Sequence, residues 1–169
     1  AGAGAYFQNT AGGGNFDAFI MKFSNTGIHR WTTYYGGSGD DEMYSVCTDQ
    51  IGNVFITGYT ASNDFPIVNP GGGAYYQTGS TVNEVIILKF ANNGNRIWST
   101  YYGGTNSGER GRTICTDVTG NIYVTGFTSS NNFPVWLSFV TCYHFGYHLE
   151  HHRSPGTPWY QLPGLKRKA

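Results

Sequence analysis

The sequence predicts an all-β fold: two copies of one four-stranded antiparallel unit, followed by a short tail unrelated to either. Three observations predict it. The string Trp31-Thr-Thr-Tyr34-Tyr35-Gly36-Gly37 returns 67 positions later as Trp98-Ser-Thr-Tyr101-Tyr102-Gly103-Gly104, and Gly52-Asn53-Val-Phe-Ile-Thr-Gly58 returns 68 positions later as Gly120-Asn121-Ile-Tyr-Val-Thr-Gly126. A fixed period of this size marks a modular architecture in which one supersecondary unit stacks on copies of itself. Within each unit, apolar residues recur with period two and β-branched and aromatic types abound, as strands require. Charged residues make up 12 % of the 169 residues and aromatics 17 %, with 25 glycines, a composition of short strands and tight turns rather than of disorder.

The first strand of the unit is predicted over residues 16–23, matched by 84–90. Ser24-Asn25-Thr26-Gly27 and Ala91-Asn92-Asn93-Gly94 follow as turns, with Asn and Gly supplying the positive φ angles a hairpin needs. The second strand runs through Trp31 or Trp98 and the paired tyrosines to Gly36-Gly37 or Gly103-Gly104. The third covers residues 43–48 and 112–116. Asp49-Gln-Ile-Gly52-Asn53 and Asp117-Val-Thr-Gly120-Asn121 then read as turns in which the aspartate accepts backbone amides. The fourth covers 54–60 and 122–128 and closes the unit. Four consecutively hairpinned strands make one propeller blade, so blades are expected at about 15–66 and 83–134 within a domain spanning 1–135. The Gly/Pro-rich stretch 69–80 connects them, and Gly4-Ala5-Tyr6-Phe7-Gln8 echoes Gly73-Ala74-Tyr75-Tyr76-Gln77, so the chain starts on the same kind of connection. If the indoles are buried, truncating Trp31 or Trp98 to Ala costs about 3–5 kcal/mol in either blade.

At these positions the sequence resembles a known family. Asp17, Lys22-Phe23, Gly27, Trp31, Thr33-Tyr34, Gly36-Gly37, Asp49, Gly52-Asn53, Thr57-Gly58, Thr60 and Phe65-Pro66 look like the bacterial SBBP β-propeller repeat, a dozen of the spaced positions agreeing in both copies. The resemblance implies a large secreted or surface-attached bacterial protein with many blades, and hence an extracellular or cell-surface location. It implies no particular activity, so the blades are expected to be structural and protein-binding, with a protein or surface glycan as partner. No catalytic or cofactor-binding residue is assigned within them. Two blades do not close a ring, since natural propellers use about four to eight. Further blades, or copies of the same chain, are therefore expected as neighbours.

The remaining features are quickly placed. Formal net charge is zero, which leaves no electrostatic footprint for nucleic acid. Cys47 and Cys115 occupy equivalent positions and are expected to fill the same small buried slot in each unit, not a disulfide framework. Asp40-Asp41-Glu42, without an acidic echo at Asn106-Ser-Gly-Glu109, reads as a solvated turn rather than a cation site. His29 reads as a solvated hairpin residue. No secretory signal is visible at the start.

From Trp136 onward the repeat stops, and four of the five histidines fall within nine residues: His144, His148, His151 and His152. On a helix, expected if anywhere within 139–152, the last three stand at i, i+3 and i+4 on one face, an arrangement that suits iron or zinc. His148-x-x-His151-His152, followed by Pro155, Pro158-Trp159 and Leu162-Pro163, resembles the last histidine box of membrane-bound fatty-acid desaturases and of carotene hydroxylases and ketolases. The resemblance implies that His148, His151 and His152 ligate iron in a di-iron centre that oxidises lipid or carotenoid, with His144 as a further neighbour of the metal and with membrane association. Against a complete enzyme stands the donor count: His29 is the only other histidine, and no stretch approaches the roughly 20 apolar residues of a span. The tail, 136–169, is accordingly expected to be a remnant of such an oxygenase, and the chain as a whole an interaction module.

Overall fold

The computed structural model describes residues 5–79, 83–105 and 108–133. These form eight strands: β1 (Ala18–Phe23), β2 (His29–Tyr35), β3 (Asp41–Thr48), β4 (Val54–Thr60), β5 (Glu84–Phe90), β6 (Arg96–Tyr102), β7 (Arg110–Thr116) and β8 (Ile122–Phe127). Every pairing is antiparallel, as the period-two pattern and the Asn/Gly turns demand. Gly27, Gly52, Gly94 and Gly120 take φ of 78, 84, 91 and 85°, each closing a hairpin at a position where an L side chain is strained. The all-β reading and the eight predicted strands are thus what the described residues form. The third strands begin two residues earlier than the pattern suggested. The expected helix at 139–152 lies outside the described residues.

The grouping of strands into sheets corrects the sequence expectation. Hydrogen bonds link β3-β4-β5-β6 into one four-stranded sheet, while β1-β2 and β7-β8 are two-stranded. The sheet is offset by half a unit from the sequence repeat: the second half of one repeat and the first half of the next make one blade, flanked by two half-blades. The physical reason lies between β2 and β3. Gly36-Gly37-Ser38-Gly39 turns the chain away from β2, whereas β4 is apolar on both faces, buried along its whole length, and needs a partner on each edge. It finds β3 on one side and β5 on the other, in register from Val54 opposite Phe90 to Thr60 opposite Glu84.

The core sits between the β1-β2 hairpin and the face of the central sheet. Ile20, Trp31 and Tyr35 pack there against Val54, Ile56, Leu88, Phe90 and Tyr101. Trp31 stacks on Phe90 with centroids 6.2 Å apart, and its Nε1 donates to the Asn92 carbonyl at 3.4 Å. On the other side β7 lies against β3, at or within a residue or two of the equivalent position: Thr116 Oγ1 donates to the carbonyl of its echo Thr48, and the Ile114 amide to Ser45 Oγ, one residue before its echo Val46. Contact between equivalent positions of successive units is the geometry of radial repetition. Cys47 and Cys115 correct a second expectation. Cys47 is only half-buried and Cys115 exposed, both as free thiols, because they lie on the face of β3 and β7 turned away from the core.

Candidate functional site

The most organised polar groups among the described residues gather where β2 passes to β3 and β4 ends, and again at the equivalent place between β6, β7 and β8. Asp41 is buried. Its carboxylate accepts from the Gly37 amide at 2.7 Å, from Ser62 Oγ at 2.8 Å and from Thr60 Oγ1. Burial pushes its carboxyl up from the usual range; the hydrogen bonds from Thr60, Gly37 and Ser62 act against that, and nearby Asp17 adds to it. Beside it, Asp64 Oδ1 accepts from the Ser38 amide at 2.7 Å and hydroxyl at 2.9 Å, which hold its carboxyl below the usual range. Asp40 accepts the Asn15 amide at 2.6 Å, and that bond likewise lowers its pKa.

The reading of Asp40-Asp41-Glu42 as a solvated turn without an echo therefore needs correction at Asp41, whose counterpart is Glu109. Glu109 is buried and its Oε1 accepts from the Gly104 amide at 3.3 Å and Thr128 Oγ1 at 3.1 Å, the equivalents of Gly37 and Thr60. Asn132 stands for Asp64, accepting the Thr105 amide at 3.0 Å. Sequence comparison missed the pair because the repeat offset changes from 67 at Gly37 and Gly104 to 68 at Asp41 and Glu109, so the 67-residue offset sets Glu109 opposite Glu42. A second acid approaches from the preceding strand in each unit. A Cβ on Gly36 would meet the Asp17 and Asp41 carboxylates at 2.6 and 2.7 Å, and one on Gly103 would meet that of Glu84, so glycine is required at both places. These carboxylates face inward and tie loops down. They leave a rim of short loops, residues 36–39 with 62–65 and 103–105 with 129–132, held rigidly at one end of the sheets.

The opposite end carries the paired turns. Asp49 Oδ1 accepts from the Ile51 and Asn53 amides, and Asp117 Oδ1 from those of Thr119 and Asn121. An open groove of about 600 Å³ lies between β1 and β3, with Phe19, Met21, Phe23, Trp31, Tyr44 and Val46 among its lining.

The sequence-predicted metal ligands His144, His148, His151 and His152 lie outside the described residues. His29, the one histidine among the described residues, is exposed, as expected, and shares a 2.6 Å hydrogen bond with Thr32 Oγ1. No group of three or more His, Cys, Asp or Glu side chains among the described residues is placed to hold a metal ion. The donors there do not fit a di-iron centre: Asp41 is already engaged by a backbone amide and two hydroxyls, and the one imidazole among the described residues is exposed His29, in the β1-β2 hairpin. No helix among the described residues is long and apolar enough to cross a membrane.

Comparison with known proteins finds both signatures in this chain. Residues 30–66 match the family model described as "Beta-propeller repeat", and residues 95–169 match the one described as "Fatty acid desaturase". The second match overlaps β6, β7 and β8, which are strands of the propeller-type sheets. Among the relatives, an uncharacterized WD repeat-containing protein of Acanthamoeba polyphaga mimivirus is 30 % identical over 121 residues, covering 68 % of this chain and 9 % of that protein. A beta-carotene 4-ketolase of Protosiphon botryoides is 58 % identical over 36 residues, 21 % of this chain and 9 % of the ketolase. A beta-carotene ketolase of Haematococcus lacustris is 61 % identical over 31 residues, 18 % of this chain and 10 % of that protein. The ketolase similarity falls in the C-terminal part. The chain thus spans about a tenth of the length of these relatives.

Proposed function

We propose that this chain serves as a structural and interaction module of a secreted or surface-attached β-propeller protein, binding a protein or surface glycan through the loop rim. The observation that carries this is the inward orientation of the repeated carboxylates. Asp41 and Glu109 lock Gly37 and Gly104 in place, so the rim is preorganised and its loops lose little freedom when a partner docks. Rigid scaffolds that present loops are where binding residues concentrate. The test immobilises the chain and screens surface proteins and glycans. Bound partners are expected to be lost on Ser38→Arg or Thr105→Arg and retained on Val118→Ser, at an exposed turn on the opposite end. Equal loss in all three would remove the rim from the reading.

A second reading rests on the ketolase identities and the desaturase match at 95–169. In it the tail is the remnant of an iron-dependent desaturase or ketolase, with His148, His151, His152 and His144 as iron ligands. Iron analysis of the purified chain discriminates. Stoichiometric iron lost in the His148→Ala and His152→Ala variants favours this reading, and two irons with oxygen consumption would displace the first.

A further inference from the structure

The second unit carries a polar feature that the first does not share. In the first, both oxygens of Asp41 have donors: the Gly37 amide and Ser62 Oγ on Oδ2, and Thr60 Oγ1 on Oδ1. In the second, Glu109 Oε1 takes the equivalent Gly104 amide and Thr128 hydroxyl, but Oε2 is buried with no hydrogen-bond partner. The difference lies in one hydroxyl. Ser130, the equivalent of Ser62, donates its Oγ at 2.7 Å to Asn132. Glu109 is 0 % exposed, so bulk solvent does not reach the oxygen that this leaves over.

A second carboxylate lies beside it. Glu84 is the equivalent of Asp17 and is also fully buried. The Glu109 amide donates at 3.0 Å to the carbonyl of Asn83, which sets the two acids side by side. Their side chains converge on Gly103. The atoms nearest the place where a Cβ would stand there are Glu84 Oε2, Glu84 Cδ and Glu109 Cδ, the last at 3.4 Å. Both acids are one methylene longer than Asp17 and Asp41, their counterparts in the first unit. Buried carboxylates are stable when paired with a cation or coordinated to a metal, and one left without either is costly. The neighbouring cation does not serve, because Arg110 is spent on the Tyr44 hydroxyl and the Tyr59 ring.

We propose that Glu84 and Glu109 together hold a hard divalent cation, calcium or magnesium, beneath the 103–105 loop. The carboxylates supply a charge that +2 balances, and oxygen donors suit these ions rather than zinc or copper. Neutral oxygens complete the surroundings: Thr128 Oγ1, bonded to Glu109, and Gln77 Oε1, bonded to the Gly103 amide, border the pair. Glu109 also holds Gly104, so the ion braces this part of the rim from within. Asp41 does not form such a site, since both of its oxygens already have donors. The inference does not depend on any partner at the rim.

The test titrates calcium chloride or magnesium chloride into the full 169-residue chain after treatment with a chelator. Calorimetry follows binding and thermal unfolding follows stability. A single saturable site is expected, with a rise in melting temperature of about 5–10 °C once the ion is about 100-fold above its Kd. The larger rise identifies which of the two ions the site prefers. Glu109→Gln and Glu84→Gln keep the side-chain shape and remove the charge, and each should abolish the rise. Matching tryptophan fluorescence shows that these variants are folded; if either is not, Glu109→Asp, which withdraws the carboxylate by one methylene, takes its place. Asp40→Asn, in the acidic turn of the first unit, should leave the rise intact. So should His148→Ala with His152→Ala, which separates the site from the histidine tail. A wild-type chain indifferent to both ions overturns the proposal. So does a rise that sodium chloride reproduces at equal ionic strength, or one that survives loss of either carboxylate. Loss of partner binding at the rim with the ion response intact would sink the rim reading alone.

Discussion

At the scale of the residue, equivalent side chains in the two repeats do different work because their neighbours differ. Trp31 and Trp98 occupy the same register, yet only Trp31 has the following unit over it. Trp31→Ala should cost about 3–5 kcal/mol, as expected of a large core truncation. Trp98→Ala should cost only about 1–2 kcal/mol in the isolated chain, in proportion to the smaller area it buries. Chemical denaturation at low protein concentration measures both, and equal losses would contradict the structure. Asp41 gives a sharper case. Its removal strands the buried amide of Gly37 and two hydroxyls, so Asp41→Ala should lose about 1–3 kcal/mol, against less for Asp40→Ala, whose amide partners at Asn15 and Phe16 are exposed to water. The buried phenols act at the other end of the pH scale. Burial pushes Tyr35 and Tyr101 up to about 12, from an unfolded value of about 10. A raised pKa means a stabilising contribution that is complete below about pH 10 and lost as pH rises through about 12. Alkaline unfolding in that window should therefore coincide with tyrosinate absorbance, and tyrosinate appearing well before unfolding would argue against the burial.

At the scale of the element, the hairpins show which features were readable and which were not. Trp31, the paired tyrosines and the Asp-x-x-Gly-Asn turns were legible because period and turn chemistry are local properties. The Asp49 and Asp117 carboxylates accept their amides as the sequence implied. The bulges were not legible. The register slips between Met43 and Ser45 opposite Gly58, and between Gly111 and Thr113 opposite Gly126, and nothing local announces it. A Cβ on Gly58 would lie 1.9 Å from the Glu42 carbonyl oxygen, backbone that has no side-chain freedom with which to yield. Gly58→Ala should therefore cost about 1–3 kcal/mol through overpacking, measured by thermal unfolding, while Gly79→Ala, with open space around it and no positive φ, should cost less. The Asp117 turn carries a pH signature as well. Hydrogen bonds from Asn121 and Thr119 hold its carboxyl well below the usual range, so its contribution is present above about pH 4 and disappears as the pH falls. Acidification should lower the melting temperature of the wild type more than that of Asp117→Asn.

At the scale of the whole molecule, the repeat was legible but its phase was not. Sequence comparison aligns Gly36 with Gly103 and Thr60 with Thr128, yet it does not state where along the period one sheet ends and the next begins. Hydrogen bonding decides that, and it decides for β3-β4-β5-β6, across the connection at 61–83 rather than within either copy. The histidine tail, clear in composition, lies outside the described residues. The offset has a direct consequence for independent folding. Residues 15–66, one complete sequence repeat, hold β1-β2 and β3-β4 but no ladder between them, and two isolated hairpins are marginal in water. Residues 15–105 add β5 and β6, restoring the four-stranded sheet and the whole cluster of Ile20, Trp31, Phe90 and Tyr101. The shorter piece should be unfolded by amide chemical-shift dispersion and the longer one folded, although both begin at the same residue. A folded 15–66 would mean that β2 and β3 can pair after all, placing the blade where the sequence repeat alone would put it.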